Sequence, residues 1–264
     1  MFSFTFLGTG DSAQVPVYNC SCAACTRARA QVSFRRRPSS AMLTIDDKKW
    51  LIDSGRTDLR ELFPPPSLAG ILQTHYHADH AQGLLTLRWG LGITIPVWGP
   101  EDPVGFADLY KHPGILDFSA TWQPFETRQI ASLRITAVPL NHSRPCFGYV
   151  IQSPDKTLAY LTDTVGLPTA TQQFLSQLVL DDCIVDCSFA PRAQPHRNHN
   201  DVNTALAMYA SLSIRRLFFT HIGHELDNWL MQHGHTLPDY VHIAQDNMVL
   251  TRCATSPAVQ GGEG

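Results

Sequence analysis

The sequence predicts an α/β protein in which strands and helices alternate in the order that suits a four-layer α/β sandwich. Short apolar runs, bounded by turn residues, alternate with stretches that have helical character. Of the 264 residues, 44% are hydrophobic, so the chain can bury a substantial core, yet it is short for two full domains. We therefore expect one domain over residues 1–253. The tail at residues 254–264 is expected to be disordered because it is rich in Ser, Pro and Gly.

Local patterns in the sequence predict where strands and helices begin and end. Proline residues at 64–66 break the chain before the short apolar run 71–72. Asn203 or Thr204 is placed to cap the last predicted helix. Strands are predicted at residues 4–7, 41–45, 50–52, 135–140, 157–161 and 216–219, and helices at residues 81–89, 169–178 and 203–212.

The densest group of potential metal ligands is a heptad that follows an apolar run, Thr74-His75-Tyr76-His77-Ala78-Asp79-His80. Alternate residues of an extended segment point the same way, so His75 and His77 can share one ion. Asp79 and His80 lie where the chain is predicted to turn into a helix, and they face a second position. The spacing therefore predicts two adjacent metal ions, which suit hydrolytic displacement at phosphorus or carbonyl. The alternative is a solvated histidine cluster.

Three later strand-like runs end close to a further potential ligand, namely His142, Asp163 and His221. Ligands at strand ends are positioned by a rigid sheet. Either histidine alone is more often structural or on the surface. Together with the four ligands of the heptad, these residues make seven candidates.

These residues, together with Asp53 in the segment Trp50-Leu51-Ile52-Asp53-Ser54-Gly55, resemble the metallo-β-lactamase superfamily. The resemblance covers nearly the whole chain and implies an αββα sandwich with a dinuclear site at one edge. It implies that one ion is bound by His75, His77 and His142. It also implies that Asp79, His80 and His221 bind the other ion, and that Asp163 bridges the two. Asp53 would orient the heptad from behind the ligands; the alternative is a turn aspartate before Gly55.

A second cluster is the segment Cys20-Ser21-Cys22-Ala23-Ala24-Cys25. Three thiols in six residues predict thiolate ligands of a closed tetrahedral zinc site rather than a disulfide pair. A fourth ligand is missing locally, and His224, three residues beyond His221, is our candidate. The alternatives are ordinary reduced cysteines and an exposed histidine.

The two clusters, with Leu140-Asn141-His142-Ser143 and Thr220-His221-Ile222-Gly223-His224, narrow the resemblance to the phosphoribosyl cyclic-phosphate phosphodiesterases of the carbon–phosphorus lyase pathway. This resemblance implies hydrolysis of 5-phosphoribosyl 1,2-cyclic phosphate to ribose 1,5-bisphosphate in phosphonate catabolism, and a homodimer. It implies two divalent catalytic ions, with manganese or zinc favoured, and one structural zinc. Spacing alone does not choose among manganese, zinc, iron and nickel.

Besides Asp79 and Asp163, the catalytic residue expected is His199, in the polar segment Arg197-Asn198-His199-Asn200-Asp201. A departing sugar oxygen needs a proton, and His199 is placed to donate it, with Asp186 as its carboxylate partner. The family resemblance supports the role of His199, and the alternative is an exposed loop histidine. The run Arg35-Arg36-Arg37 offers donors for a second phosphate of the substrate, although such a run is more often a solvated loop.

Composition argues against several classes of protein. A net charge of −3 and a pI near 6.4 give no general attraction to nucleic acid or membrane. No apolar run approaches the ~20 residues of a membrane span, and the N-terminus lacks the basic start of a signal peptide. Seven cysteines, an odd number, favour a reducing compartment. We expect a cytoplasmic enzyme that acts on a small phosphorylated cyclic phosphodiester, with no nucleic-acid or membrane partner.

Three other functions stay open. One is tRNA 3′-end processing, against which the segment between Asp163 and His221 has no long Gly- and Lys-rich insertion to grip RNA. Another is non-catalytic binding, as in a cofactor-biosynthesis protein of the superfamily with a similar cysteine cluster. Against it, all seven metal positions are intact. The weakest is thioester hydrolysis of the glyoxalase kind.

Overall fold

The computed structural model describes residues 2–64 and 68–250. The tail predicted to be disordered, residues 254–264, lies outside these ranges, as do two of the three residues in the proline run. Within the described ranges, strands and helices alternate and form two sheets with helices on their outer faces.

The first sheet contains β1 (Phe2–Gly8), β2 (Ser40–Ile45), β3 (Lys48–Ile52), β4 (Leu68–Leu72), β5 (Ile95–Trp98), β6 (Leu116–Asp117) and β14 (Val249–Leu250). Its spatial order is β14-β1-β2-β3-β4-β5-β6. The strands β1, β2 and β3 pair antiparallel, whereas β3, β4, β5 and β6 run parallel.

The second sheet contains β7 (Thr127–Ile130), β8 (Leu133–Pro139), β9 (Phe147–Ser153), β10 (Lys156–Leu161), β11 (Val179–Asp186), β12 (Ser213–Thr220) and β13 (Val241–Ile243). Its spatial order is β13-β12-β11-β10-β9-β8-β7. The four strands β10 to β13 run parallel, and β9 is antiparallel to both β8 and β10. As a result, β8 runs in the same direction as β10.

Strand periodicity separates the core into layers. In β10, Leu158 and Tyr160 pack between the sheets, whereas Ala159 and Leu161 face the helices outside the second sheet. In β3, Leu51 points to the opposite face from its neighbours. Because successive side chains of a strand point to opposite faces, each sheet has one apolar face toward the other sheet and one toward helices.

The helices cover the two outer faces. They are α1 (Ala23–Ala30), α2 (Leu59–Leu62), α3 (Ala78–Ala81), α4 (Leu84–Leu87), α5 (Ala107–Lys111), α6 (Thr169–Leu175), α7 (Val202–Ala210) and α8 (His224–His233). Leu59, Leu84 and Leu109 belong to the apolar cluster outside the first sheet, and Leu175 and Leu226 to the cluster outside the second. The architecture is therefore the αββα sandwich that the sequence predicts.

Two local predictions were wrong. The single helix predicted at residues 81–89 is two short helices, α3 and α4, and the first already begins within the heptad. Gly83 separates them and lies against the strand-end loop after β3: its N–H donates to the carbonyl of Ser54, and an added Cβ would lie 2.1 Å from the carbonyl oxygen of Arg56. The cap of α7 is Asp201, whose carboxylate accepts from the N–H of Thr204 at 2.8 Å, so the capping residue is neither Asn203 nor Thr204.

The sheet directions bring six strand ends to one edge. Asp53 follows β3, the heptad follows β4, His142 follows β8, Asp163 follows β10, Asp186 ends β11 and His221 follows β12. Parallel strands end at the same edge of a sheet, and polar side chains placed there converge.

Among the described residues, no helix is long and apolar enough to cross a membrane.

Candidate dinuclear metal centre

Three imidazoles converge at the first metal position. Nδ1 of His77 lies 3.0 Å from Nε2 of His75 and 3.0 Å from Nε2 of His142. An ion about 2.0–2.1 Å from each nitrogen sets such nitrogens roughly 3 Å apart. The spacing of His75 and His77 in an extended segment is what lets their rings meet, as the sequence predicts.

The second position is formed by Asp79, His80 and His221, whose ligand atoms also cluster. Oδ2 of Asp79 lies 3.2 Å from Nε2 of His221 and 3.6 Å from Nε2 of His80. Asp79 and His80 belong to the short helix α3, which begins directly after His77.

Asp163 lies between the two positions. Its Oδ2 atom is 3.2 Å from Nε2 of His80 and 3.5 Å from Nε2 of His221. The same oxygen is 3.8 Å from Nε2 of His75 and 3.9 Å from Nε2 of His142. One carboxylate oxygen is therefore close to ligands of both positions, which is the location of a bridging ligand.

Asp53 orients residues of the heptad through hydrogen bonds. Its buried carboxylate accepts from Nδ1 of His80 at 2.7 Å and from the N–H of Thr74 at 2.8 Å. The hydroxyl of Thr74 donates to Asp53, which leaves it free to accept from Nδ1–H of His75 at 3.0 Å. Two ligand rings thereby have their outer nitrogen protonated and their Nε2 free to bind metal. This arrangement is the orienting role proposed for Asp53, rather than that of a turn aspartate.

Two further ligand histidines, His221 and His142, also have a hydrogen-bond partner at Nδ1. Neither partner was predicted from the sequence. Nδ1–H of His221 donates to the hydroxyl of Ser188 at 3.0 Å, and this hydroxyl donates its own hydrogen to the backbone carbonyl of His221. Nδ1 of His142 donates to the carbonyl of Asn198 at 3.3 Å. Ser188 lies two residues after the end of β11, so its position at a strand end was the one available signal.

Charges are distributed unequally over the two positions. Burial and neighbouring imidazoles lower the pKa of His75 well below its usual value, and burial lowers that of His142 to about 4. Burial also opposes protonation of His221, but the carboxylates of Asp163 and Asp79 outweigh it and raise the pKa to about 9. The same balance raises the pKa of His80 well above its usual value. Neutral imidazoles thus form the first position, whereas protons compete with metal at the second.

Two buried atoms fit a bound ion. Among the described residues, Nε2 of His80 and Oδ1 of Asp163 are inaccessible to solvent and make no hydrogen bond. Buried polar atoms are normally partnered, and these two belong to the ligand sets of the metal centre. Imidazole and carboxylate ligands suit manganese, iron and zinc, so the donor set fits the divalent ions implied by the sequence.

His199 lies beside both ligand sets. Its ring centroid is 5.0 Å from that of His221 and 5.4 Å from that of His142. Nδ1 of His199 donates to Oδ2 of Asp186 at 3.0 Å. The Asp186 carboxylate is itself held by the N–H of Thr164 and the side-chain amide of Asn200. The partner proposed for His199 therefore lies at hydrogen-bond distance and fixes the direction of the ring.

The cysteine cluster joins the N-terminal loop to α8. Sγ of Cys20 lies 3.4 Å and Sγ of Cys22 lies 3.7 Å from Nδ1 of His224, and Cys25 completes the group with all ligand atoms within 4.8 Å of one another. Zn–S bonds of about 2.3 Å and a Zn–N bond of about 2.0 Å place S and N roughly 3.6 Å apart in a tetrahedron. The four residues thus fit a structural zinc ion.

Two arginines of the basic run Arg35-Arg36-Arg37 make contacts within the fold. Arg36 is buried, where it donates to Asp227 at 3.1 Å and to the carbonyl of Ala244 at 2.7 Å. Nε of Arg35 donates to the carbonyl of Ala28. The pairing of Arg36 with a buried carboxylate on α8 gives this arginine a structural role, whereas phosphate binding by Arg35 and Arg37 stays a prediction.

Two metal positions at one edge of an αββα sandwich define a dinuclear metal-binding protein with the metallo-β-lactamase fold. Comparison with known families agrees, because the profile of the beta-lactamase superfamily domain matches residues 51–222. The chain belongs to this family.

Solved structures support the fold over almost the whole chain. A structure described as a new diphosphatase from the PhnP family has 26% sequence identity and a TM-score of 0.79, covering 96% of this chain and 98% of that one. Zinc-bound PqqB from Methylobacterium extorquens has 19% identity and a TM-score of 0.77, with coverage of 95% and 100%. The second likeness concerns the fold alone.

The curated relatives match this chain over only part of their length. Ribonuclease Z from Acaryochloris marina is 30% identical over 182 residues, which are 62% of this chain and 52% of the relative. Coenzyme PQQ synthesis protein B from Stutzerimonas stutzeri is 28% identical over 189 residues, 61% of this chain and 59% of the relative. The chain therefore spans between half and three fifths of these two proteins.

Proposed function

We propose that this protein is a dinuclear metal-dependent phosphodiesterase that opens 5-phosphoribosyl 1,2-cyclic phosphate to ribose 1,5-bisphosphate. The observation that carries the proposal is the position of His199, which contacts the ligand histidines of both metal positions and is held by Asp186. A proton donor beside two metal positions suits an ester whose leaving group is a sugar oxygen.

Divalent ions held at the two positions supply the Lewis acidity that activates water and offsets charge on the phosphoryl oxygens. His75, His77 and His142 would hold one ion, Asp79, His80 and His221 the other, with Asp163 between them. The protein must also protonate the departing oxygen. Asp186 accepts from Nδ1–H of His199, which leaves Nε2 to carry the proton that the leaving oxygen receives.

The relatives support this proposal to different degrees. The PhnP-family diphosphatase matches this chain along almost its full length, at 26% identity, and its described activity is at a phosphorus centre. Ribonuclease Z relatives favour a second candidate, tRNA 3′ processing. Against it, the fully described stretch 164–220 holds only α6, β11, α7, β12 and their connecting loops, and none of these is an RNA-binding arm. We further propose that the protein acts as a cytoplasmic homodimer on a small substrate.

The experiment is an activity comparison with the purified protein loaded with manganese or zinc. Three substrates are compared: 5-phosphoribosyl 1,2-cyclic phosphate, a precursor tRNA and an S-acyl glutathione thioester. Hydrolysis of the cyclic phosphate, abolished in an Asp79→Asn variant that lacks a second-position ligand, supports the proposal. Efficient tRNA cleavage with no activity on the cyclic ester contradicts it and favours the second candidate.

A further inference from the structure

The loop between β11 and α7 covers one side of the metal centre. It carries the carbonyl of Asn198, which accepts from the ligand His142, and it carries His199. Two neighbouring residues of the same loop, His196 and Arg197, have no part in holding metal or in the proposed proton transfer. Both lie in the chain directly before Asn198 and His199, which contact the metal centre.

His196 continues a column of imidazoles that starts at the metal centre. The ring of His199 lies nearly parallel to that of His221, with centroids 5.0 Å apart and planes at 16°. The ring of His196 lies beyond His199, with centroids 5.7 Å apart and planes at 22°. His196 is thus one ring further from the metal ligand His221, on the same side of the site.

A nearby backbone N–H fixes the tautomer of the His196 ring. The N–H of Asn198 donates to Nδ1 of His196 at 3.3 Å, so the neutral ring carries its proton on Nε2. Within the described residues, this Nε2–H has no acceptor. Burial, followed by the neighbouring side chains of His199, Arg192 and Arg197, lowers the pKa of His196.

Of the two arginines, Arg197 is the one available to a ligand. Arg192 donates to Glu225 at 2.9 Å, and its guanidinium lies 3.8 Å from the centroid of the Phe189 ring. Phe189 in turn packs on His196 with ring centroids 4.5 Å apart. Arg197 is exposed and makes no ion pair or side-chain hydrogen bond in the part of the chain that the structure describes. Arg192 therefore packs on Phe189, which in turn supports His196. Arg197, the next residue in the chain after His196, is a cation without a partner among the described residues.

We infer that His196 and Arg197 form an anion subsite that binds the second, non-reacting phosphate of the substrate. A neutral imidazole N–H and a guanidinium are both donors to phosphate oxygens, and the guanidinium also adds charge. The inference rests on the proposed function and deepens it, because it assigns the group that distinguishes a phosphoribosyl ester from a simple cyclic ester. Binding energy from this remote phosphate would position the reacting phosphorus at the metals.

The test uses two esters, ribose 1,2-cyclic phosphate with and without the 5-phosphate, and the variants Arg197→Ala, Arg197→Lys and His196→Gln. A charged hydrogen bond contributes enough that Arg197→Ala should lower kcat/KM about 10- to 100-fold on the 5-phosphorylated ester. The ester without this phosphate should change less than about twofold. Arg197→Lys should recover part of the loss. Arg215→Ala, at an exposed arginine paired with Asp181 on the second sheet, is the matched control and should change neither rate.

A binding measurement separates this inference from the proposed function. Ribose 5-phosphate has the remote phosphate but no reacting one, and its binding to the metal-loaded protein is followed by calorimetry and by the NMR shifts of the His196 ring. Weaker binding to Arg197→Ala supports the subsite even if neither ester is hydrolysed, an outcome that would contradict only the proposed function. Absent binding of ribose 5-phosphate to the unaltered protein, or equal losses on both esters, overturns the subsite.

Discussion

Oδ2 of Asp53 lies 2.7 Å from Nδ1 of His80, and both side chains are fully buried. The same carboxylate accepts from Thr74, whose hydroxyl contacts the ring of His75. One residue outside the ligand set therefore orients a ligand of each metal position. An Asp53→Asn variant keeps the shape but loses the acceptor charge, so metal affinity should fall.

Residues behind metal ligands typically contribute 10- to 100-fold in affinity, and we expect a loss of about that size for the second position in Asp53→Asn. Metal titration with isothermal calorimetry measures it. Asp117→Asn, at an aspartate that accepts from the N–H of Ser119 on the surface, provides the control and should bind metal normally. An unchanged affinity in Asp53→Asn would contradict the orienting role.

The two kinds of metal site should differ in lability. The Cys20, Cys22, Cys25 and His224 site is closed, whereas the dinuclear positions exchange ligands through water. Brief treatment with a mild chelator should leave about one zinc per chain, as measured by elemental analysis. Cys22→Ser should lose this zinc. Loss of all metals at one rate would argue against a separate structural site.

His199→Ala should reduce turnover of an ester with an alkoxide leaving group by on the order of 10²–10⁴-fold. A p-nitrophenyl ester should be affected far less, because p-nitrophenolate leaves without a proton. Metal content should stay the same. The exposed His235 provides the control variant, His235→Ala, with no effect on either ester. Equal losses on the two leaving groups would assign His199 to binding or structure instead of proton donation.

The raised pKa of His221, about 9, predicts opposite pH trends for the metal-free and metal-loaded forms. In the metal-free protein, the protonated ring stabilises the fold fully below the unfolded pKa of about 6.5, and this stabilisation is lost as the pH rises through 9. Metal must displace the proton, so affinity at the second position should rise over the same interval, by up to about tenfold per pH unit for each proton displaced. Thermal melting with and without metal from pH 7 to 9.5 measures both trends, and a metal affinity independent of pH in this range would contradict the proton competition.

The ligands were accessible to sequence reasoning because each follows a recognisable apolar run, and parallel strands bring such positions to one edge. His75 and His77 also have the alternate spacing that one ion requires. Ser188 was not predicted because a single serine after a strand carries no distinctive pattern, and its contact with His221 depends on how two strands align. The pairing of Arg36 was not predicted for the same reason: a basic triplet gives no sign that its central member contacts Asp227, 191 positions away. The break at Gly83 depends on a close approach to the backbone of Arg56, which local propensity does not contain.

The ligands of both metal positions come from both sheets. Asp79 and His80 follow a strand of the first sheet and His221 a strand of the second, while His75 and His77 meet His142 in the same way. Neither half of the molecule has a complete set by itself. A complete ligand set at either position therefore requires both sheets in place, and each bound ion would link the two sheets. Chelation should therefore loosen the packing between the sheets first. The strands that lead into the ligands should then exchange their amide hydrogens earlier than the strands at the outer edges of the sheets.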